Sequence, residues 1–367
     1  MRPQPHSGIL KIANYVAGDL TLPGVAHPAL LCANESPLGP SPAAVAAARE
    51  ALAHAHLYPD ADTRRLCAAL GRHHDLDPAW LMCGTGSESL IEVLCRTFTG
   101  PGDEVLMPQF SFPMFAIFAN AVGATVVTSP APSFTADVEA LLAAVTPKTK
   151  LVFLANPNNP TGTWVDRAAV SRLVSGLPER VLLVLDSAYA EYLQDPAYDA
   201  GLRYVTQHPG RVVVLRTFSK LHALAGMRVG WLHADPQTID LLRRARFIFP
   251  VTAPSEAAAV AALADADHVR RSIAHNTQWL PWLGQALTAQ GIEVLPSGGN
   301  FVLARFPGKW READAALRAR GVIARAIPPL EGLRISVGLE ADNRTVVEAL
   351  TAILSPSPRG GEGRGEG

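Results

Sequence analysis

The run Val212–Val213–Val214–Leu215–Arg216–Thr217–Phe218–Ser219–Lys220 reads as a buried strand that delivers a lysine to its carboxyl end. Partial desolvation there lowers the amine's pKa and frees it to attack a carbonyl. A solvated loop lysine also fits, since lysine is mostly exposed in folded proteins. Two neighbours favour chemistry. Ser219 supplies a hydroxyl, and Arg228 follows in Leu224–Ala225–Gly226–Met227–Arg228–Val229–Gly230. Hydroxyl plus guanidinium is a grip for phosphate, and the glycines let backbone approach closely.

A second apolar run, Val181–Leu182–Leu183–Val184–Leu185, ends in Asp186, with Tyr189 three residues on. A buried carboxylate needs a cationic or hydrogen-bonding partner. A protonated pyridine-type nitrogen is one such partner, and Tyr189 could then bond a phenolic oxygen on the same ring. A helix N-cap is the competing role for Asp186. After the strand Lys150–Ala155 comes Asn156–Pro157–Asn158–Asn159–Pro160–Thr161–Gly162. Proline and glycine make this a rigid turn, and Asn159 is held where its amide can meet a ring oxygen. Cys83–Gly84–Thr85–Gly86–Ser87–Glu88–Ser89 opens the helical pattern Leu90–Arg96. Glycines before a helix N-terminus expose N–H groups to phosphate, although the loop lacks the lysine of a P-loop and the spacing of a dinucleotide fingerprint. The cluster Phe110–Ser111–Phe112–Pro113–Met114–Phe115 suits either stacking on a flat ring or core packing.

These residues need a scaffold. Candidate strands Ala124–Thr128, Lys150–Ala155, Val181–Asp186, Arg211–Thr217 and Arg228–His233 alternate with helical patterns such as Asp166–Ser175. Their continuous apolar character suits strands covered on both faces. The alternation predicts an α/β fold: a large domain with a mostly parallel sheet flanked by helices. In such sheets ligands lie beyond the carboxyl ends of strands, where the chemical residues fall. The last third, with helical patterns at Ala253–Leu263 and Asp267–Gln290 and short strands at Asn300–Arg305 and Leu333–Val337, predicts a smaller α+β domain.

With 367 residues, two domains are expected. The large one is placed at 31–247, and the small one takes 1–30, as an N-terminal arm, and 248–354. The stretch 355–367 is glycine, proline and charge with nothing apolar to bury, which predicts disorder. Apolar residues make up 48%, charged residues 18%, and the formal net charge is −1. This excludes a disordered chain and offers no basic surface for nucleic acid or an anionic membrane. No apolar run is long enough to span a bilayer and no signal peptide is apparent. Cys32, Cys67, Cys83 and Cys95 lack metal-ligand spacing, so free thiols, no metal and a cytoplasmic location are expected. His54, His56, His73 and His74 are read as lying on solvated helix faces and His222 as a packing histidine.

From about Ile9 to Ala352 the chain resembles the fold-type I pyridoxal-phosphate aminotransferases, and among them the histidinol-phosphate aminotransferase family. The strings that carry this are Asn34–Glu35–Ser36–Pro37–Leu38–Gly39–Pro40, Tyr58–Pro59–Asp60, Gly84–Thr85–Gly86–Ser87, Asn156–Gly162, Asp186 with Tyr189, Thr217–Lys220, Arg228, Gly299–Asn300–Phe301 and Leu333–Gly338. The resemblance implies pyridoxal 5'-phosphate as cofactor, with Lys220 as the Schiff-base lysine and proton shuttle. It implies Asp186 as partner of the ring nitrogen, and Tyr189 and Asn159 on the ring oxygen. Gly86, Ser87, Glu88 (through its backbone), Ser219 and Arg228 become the phosphate cup, and Phe112 the stacking residue. Tyr58 is implied to reach the phosphate of a neighbouring subunit, hence a homodimer. Arg334 is implied to clamp the substrate carboxylate, Arg325 the substrate phosphate, and Asn34 to join the substrate site. The partner pair implied is 2-oxoglutarate and glutamate.

The chain differs from the family pattern at Ser187, where an acid is common, at His222–Ala223 in place of Tyr-Gly, at Tyr15–Val16–Ala17–Gly18, and in the short segment Ala326–Leu333 with Pro328–Pro329. The leading expectation is transamination of L-histidinol phosphate in histidine biosynthesis. An aromatic amino acid aminotransferase and a threonine-phosphate decarboxylase are the enzyme alternatives, and a non-catalytic cofactor-binding protein is the alternative of another class.

Overall fold

The structure is a computed structural model, and it describes residues 3–14 and 19–354. The expected disordered tail and the string 15–18 lie outside the described residues. Among the described residues, twelve strands form two sheets. β1 (Ala29–Leu31) comes first, then β2 (Leu81–Thr85), β3 (Glu104–Pro108), β4 (Thr125–Ser129), β5 (Thr149–Ala155), β6 (Leu182–Asp186), β7 (Val212–Thr217) and β8 (Val229–His233). The remainder are β9 (Glu293–Val294), β10 (Phe301–Arg305), β11 (Val322–Ile327) and β12 (Gly332–Ser336).

The large sheet has the order β2-β8-β7-β6-β5-β3-β4. Pairs among β3 to β7 are parallel, while β8 runs antiparallel to both β7 and β2. Its apolar runs are continuous because both faces are covered. Val213 and Leu215 pack one way, with Leu90, Ile91, Leu94, Phe115 and Phe153. Val212 and Val214 pack the other way, with Leu141, Leu173, Leu183 and Val205. Each such side chain contributes roughly 1.5–3 kcal/mol on burial. The helix Arg167–Gly176 starts one residue later than its pattern suggested, because Asp166 is its N-cap and accepts the Ala169 amide at 2.8 Å.

The sequence did not suggest β2. Gly84 weakens its strand character, yet a Cβ there would come within 2.7 Å of Ser89 and 2.8 Å of Leu90. Glycine is what lets β2 pack under the helix Gly86–Phe98.

The small sheet, β1-β11-β12-β10-β9, is mostly antiparallel, with β1 parallel to β11. Its core joins Val302, Ile335 and Val322 to Leu283, Leu287, Leu317 and Val346 from the covering helices. Two segments depart from the expected domain limits. β1 carries the small sheet through Leu31. The helix Ala253–Ala264 packs against Pro42–Leu52 and Arg64–His74, sharing a core with Leu66, Leu70 and Trp231. Its face of Ala258, Ala259 and Ala262 permits that close approach, so the cover of the large sheet runs past residue 247. No helix among the described residues is long and apolar enough to cross a membrane.

The four cysteines are free and buried, behaving as small apolar residues. His54, His56 and His73 are exposed, the first two in the turn after the helix Pro42–Leu52 rather than on it. His74 corrects the reading of a solvated face. Its ring is half-buried 5.0 Å from Trp231, and burial pushes its pKa down to about 3. His222 is buried against Phe218 at 4.9 Å, as a packing histidine should be. Ala223, where the family pattern has glycine, stands at φ 54°. A β-carbon is unfavourable there, so Ala223→Gly is expected to raise stability by about 0.5–1 kcal/mol after the unfolded-chain entropy is subtracted. An unchanged denaturant midpoint would contradict this.

Candidate active site

The chemical residues converge at one edge of the large sheet. β5, β6 and β7 end there in Ala155, Asp186 and Thr217, and β2 ends there in Thr85. Because β8 is antiparallel, its beginning meets their ends and brings Arg228 beside Ser219. The result is a cavity of about 270 Å³ lined by Lys220, Asp186, Tyr189, Asn159, Phe112, Ser87, Glu88, Ser219 and Arg228. Ala33, Glu35, Pro157, Thr217 and Ala225 complete much of its wall. Glu35, Pro157 and Thr217 belong to the strings already singled out, whereas Ala33 and Ala225 carry no chemical signal in the sequence.

Lys220 is half-buried, and its Nζ donates to the Ala33 carbonyl at 3.0 Å. Burial pulls its pKa down to about 7, with the Arg334 guanidinium acting in the same direction. Asp186 is buried, and its Oδ1 accepts the Ala188 amide at 3.2 Å. Burial raises its pKa to about 6, opposed by that hydrogen bond and by Lys220. The sign is the same for both groups: a neutral amine and an ionised carboxylate both require pH above these values. Reductive methylation of Lys220 in the cofactor-free chain is therefore expected to rise with pH to a midpoint near 7, where an ordinary lysine has about 10.4. A midpoint near 10 would remove the electrostatic account of this amine.

Tyr189 is buried, its hydroxyl accepts the Asn34 amide at 2.9 Å, and its ring lies edge-on to Phe301. Asn34 lies outside the cavity wall, behind Tyr189, at φ 55° with its N–H on the Ser336 hydroxyl. Asn159 accepts Arg334 Nη1 at 2.6 Å, and Arg334 Nη2 donates to the Cys32 carbonyl at 2.6 Å. That fixes the guanidinium and leaves the Asn159 NH2 as a donor.

The end of the cavity at Ser219 and Arg228 rests on glycine. A Cβ on Gly230 would come within 2.2 Å of the Ser87 nitrogen, and one on Gly86 within 2.6 Å of Arg228 Nη2. Their absence lets the start of the 13-residue helix Gly86–Phe98 lie against Arg228. Arg228 donates to the Ser219 hydroxyl at 3.3 Å, with Glu88 3.8 Å away. Helix N-terminal amides, a hydroxyl and a guanidinium form a cradle for a dianion. With a lysine amine and a carboxylate that accepts one backbone amide, the donor set fits pyridoxal phosphate.

A second cavity, about 510 Å³, adjoins the first through Glu88, Phe112 and Asn159, and is lined beyond them by Arg334, Phe110, Met114, Arg325 and Pro328–Pro329–Leu330. β11 and β12 place Arg325 directly opposite Arg334. Tyr58 is not on either cavity wall. It is 83% exposed and stacks on Phe249 with ring centroids 4.5 Å apart.

The family described as aminotransferase class I and II matches residues 27–350. The chain belongs to that family. It is a pyridoxal-phosphate-dependent aminotransferase with the type I fold, as the sheet and the cavity indicate. Among curated relatives it is 45% identical to a histidinol-phosphate aminotransferase of Rhodospirillum rubrum, over 99% of this chain and 98% of that one. It is 44% identical to the enzyme of the same name from Paramagnetospirillum magneticum, over 95% and 98%. Among solved structures, the histidinol-phosphate aminotransferase of Sinorhizobium meliloti, in complex with pyridoxal-5'-phosphate, superposes with a TM-score of 0.83. It is 32% identical and covers 89% of this chain and 90% of that one.

Proposed function

We propose that this aminotransferase takes L-histidinol phosphate as amino donor and 2-oxoglutarate as acceptor, in histidine biosynthesis. One observation supports the donor most: Arg325 and Arg334 face each other across β11 and β12 at the second cavity. Two guanidinium groups at one cavity suit a phosphate, or the carboxylates of a dicarboxylic acceptor, held by charge-assisted bonds.

Pyridoxal phosphate supplies a carbonyl to receive the amino group and a ring that withdraws electrons. The chain's residues do the rest. Ser219, Arg228 and the amides of Gly86, Ser87 and Glu88 would hold the phosphate. Asp186 would pair with the ring nitrogen, Asn159 and Tyr189 would face the ring oxygen, and Phe112 would cover the ring. Asn34, outside the cavity walls, would act on the site through its hydrogen bond to the Tyr189 hydroxyl. Lys220 would hold the cofactor through Nζ and then move one proton, a task suited to an amine titrating near 7.

The protein is proposed to act in the cytoplasm as a homodimer, with Tyr58 reaching the phosphate of the neighbouring site. Leu57, Tyr58, Phe247, Ile248 and Phe249 supply an exposed apolar surface that suits such an interface.

Arg325→Ala is expected to weaken histidinol phosphate by about 10- to 150-fold, the loss of one charged hydrogen bond, and phenylalanine far less. Equal losses would remove Arg325 as the phosphate reader. An aromatic donor is the second reading, favoured by the wall of Phe110, Met114, Pro328, Pro329 and Leu330. A side-by-side assay of histidinol phosphate, phenylalanine, tyrosine and threonine phosphate with 2-oxoglutarate tests the proposal. Histidinol phosphate is expected to give the highest kcat/KM. A lead for phenylalanine, or release of CO₂ from threonine phosphate, overturns it.

A further inference from the structure

Arg246 caps the helix Pro236–Ala245 and is charged yet mostly buried, with a side chain 10% exposed. Burial of a guanidinium is costly unless its donors are engaged. Here the two terminal nitrogens are engaged, by two separate segments, while Nε has no hydrogen-bond partner among the described residues. Nη1 donates to the Ala61 carbonyl at 2.7 Å and to the Phe247 and Ile248 carbonyls, both at 3.2 Å. Nη2 donates to the Asp62 carboxylate at 2.8 Å, which Arg243 also approaches at 3.5 Å.

The first of these segments carries Tyr58, the second Phe249, and the two rings stack. Tyr58 is 83% exposed, so little of its own chain packs on it. Its position depends on the turn closed by the Thr63 amide on the Asp60 carbonyl and on the Phe249 ring beside it. Arg246 is bound to both. It lines neither the cofactor cavity nor the second cavity of its own chain.

We infer that Arg246 is a positioning residue for the neighbouring subunit's cofactor site: it fixes the Tyr58 segment against the Phe247–Phe249 segment, so that Tyr58 is presented in place. This rests on the proposed role of Tyr58 across the dimer. A competing route runs within one chain. The Pro250 carbonyl, just past the same segment, accepts the Thr85 hydroxyl at the edge of that chain's own phosphate cup. A role for Arg246 along that route would act in cis.

Mixed dimers separate the two. One protomer keeps Lys220, and the other carries Lys220→Ala, so each dimer has one site at which borohydride can fix cofactor to Lys220. That site takes Tyr58 from the Lys220→Ala protomer. The readout is the cofactor concentration that half-saturates fixation at Lys220, with turnover measured alongside. Arg246→Gln on the Lys220→Ala protomer is expected to raise that concentration roughly tenfold, the scale of one positioned hydrogen bond. The same substitution on the Lys220-bearing protomer is expected to leave it within about twofold. Arg246→Lys, which keeps charge but not the fork of donors, is expected to fall between wild type and Arg246→Gln.

Tyr58→Phe placed in the same two ways is the control. If it weakens binding from neither position or only in cis, the Tyr58 reading itself fails. If Tyr58→Phe acts in trans but Arg246→Gln acts in cis, or in neither position, the inference about Arg246 is wrong while the reading of Tyr58 stands. Loss from both positions with a lowered Tm marks a general folding role and also overturns the inference.

Discussion

Lys220→Ala is expected to lower kcat by at least about 10⁴-fold while leaving the fold intact. Two functions vanish together: the covalent hold on the cofactor and the proton transfer, which alone supplies roughly 10²–10⁴-fold. The fold should survive because the Lys220 side chain is half-buried and its Nζ makes one hydrogen bond to the Ala33 carbonyl. Removing a desolvated amine does not open the apolar layers around β7, whose strand residues keep their packing. The checks are single-turnover kinetics and circular dichroism. Wild-type turnover by the variant would mean that the amine has been misassigned.

Asp186→Asn has the second largest expected effect, a fall in kcat of roughly 10²- to 10³-fold. The carboxylate ends β6 buried after the apolar run Leu182–Leu185, with the Ala188 amide on its Oδ1. Opposite a protonated ring nitrogen, as proposed, it would offset a buried charge, and removing one partner of such a pair costs about 3–5 kcal/mol. Asparagine keeps the shape and can still receive the Ala188 amide, so the loss should appear in kcat and in cofactor affinity rather than in the Tm. A variant with unchanged kcat would leave Asp186 as a turn-capping residue only.

The parts of the site legible in the sequence are those fixed by local pattern. Apolar runs rich in valine and leucine mark β5, β6 and β7, and the residues that follow them, Asp186 and Lys220, inherit a position at or beyond a strand end without any tertiary information. The turn Asn156–Gly162 is legible for the same reason. Gly162 lies at φ 80°, where a Cβ would clash with Ser297 at 2.5 Å. What was hidden depends on register between distant segments. Arg325 opposes Arg334 only once β11 and β12 pair, and Asn34 reaches Tyr189 across 155 residues of chain. β2 was masked by its glycine, and the helix at Ala253–Ala264, though legible as a helix, was assigned to the wrong sheet because its alanine content suits packing on either body. The clamp of Arg246 on Ala61 and Asp62 spans about the same kind of distance, with no local motif to announce it.

The chain contains five lysines: Lys11, Lys148, Lys150, Lys220 and Lys309. That small number makes one measurement decisive. Protein purified with the vitamin supplied is reduced with borohydride, digested and mapped by mass spectrometry. Modification confined to the peptide containing Thr217–Lys220 is the expected result. A label on any of the other four lysines, or a colourless protein with no label, contradicts the assignment of this strand end as the cofactor's attachment point.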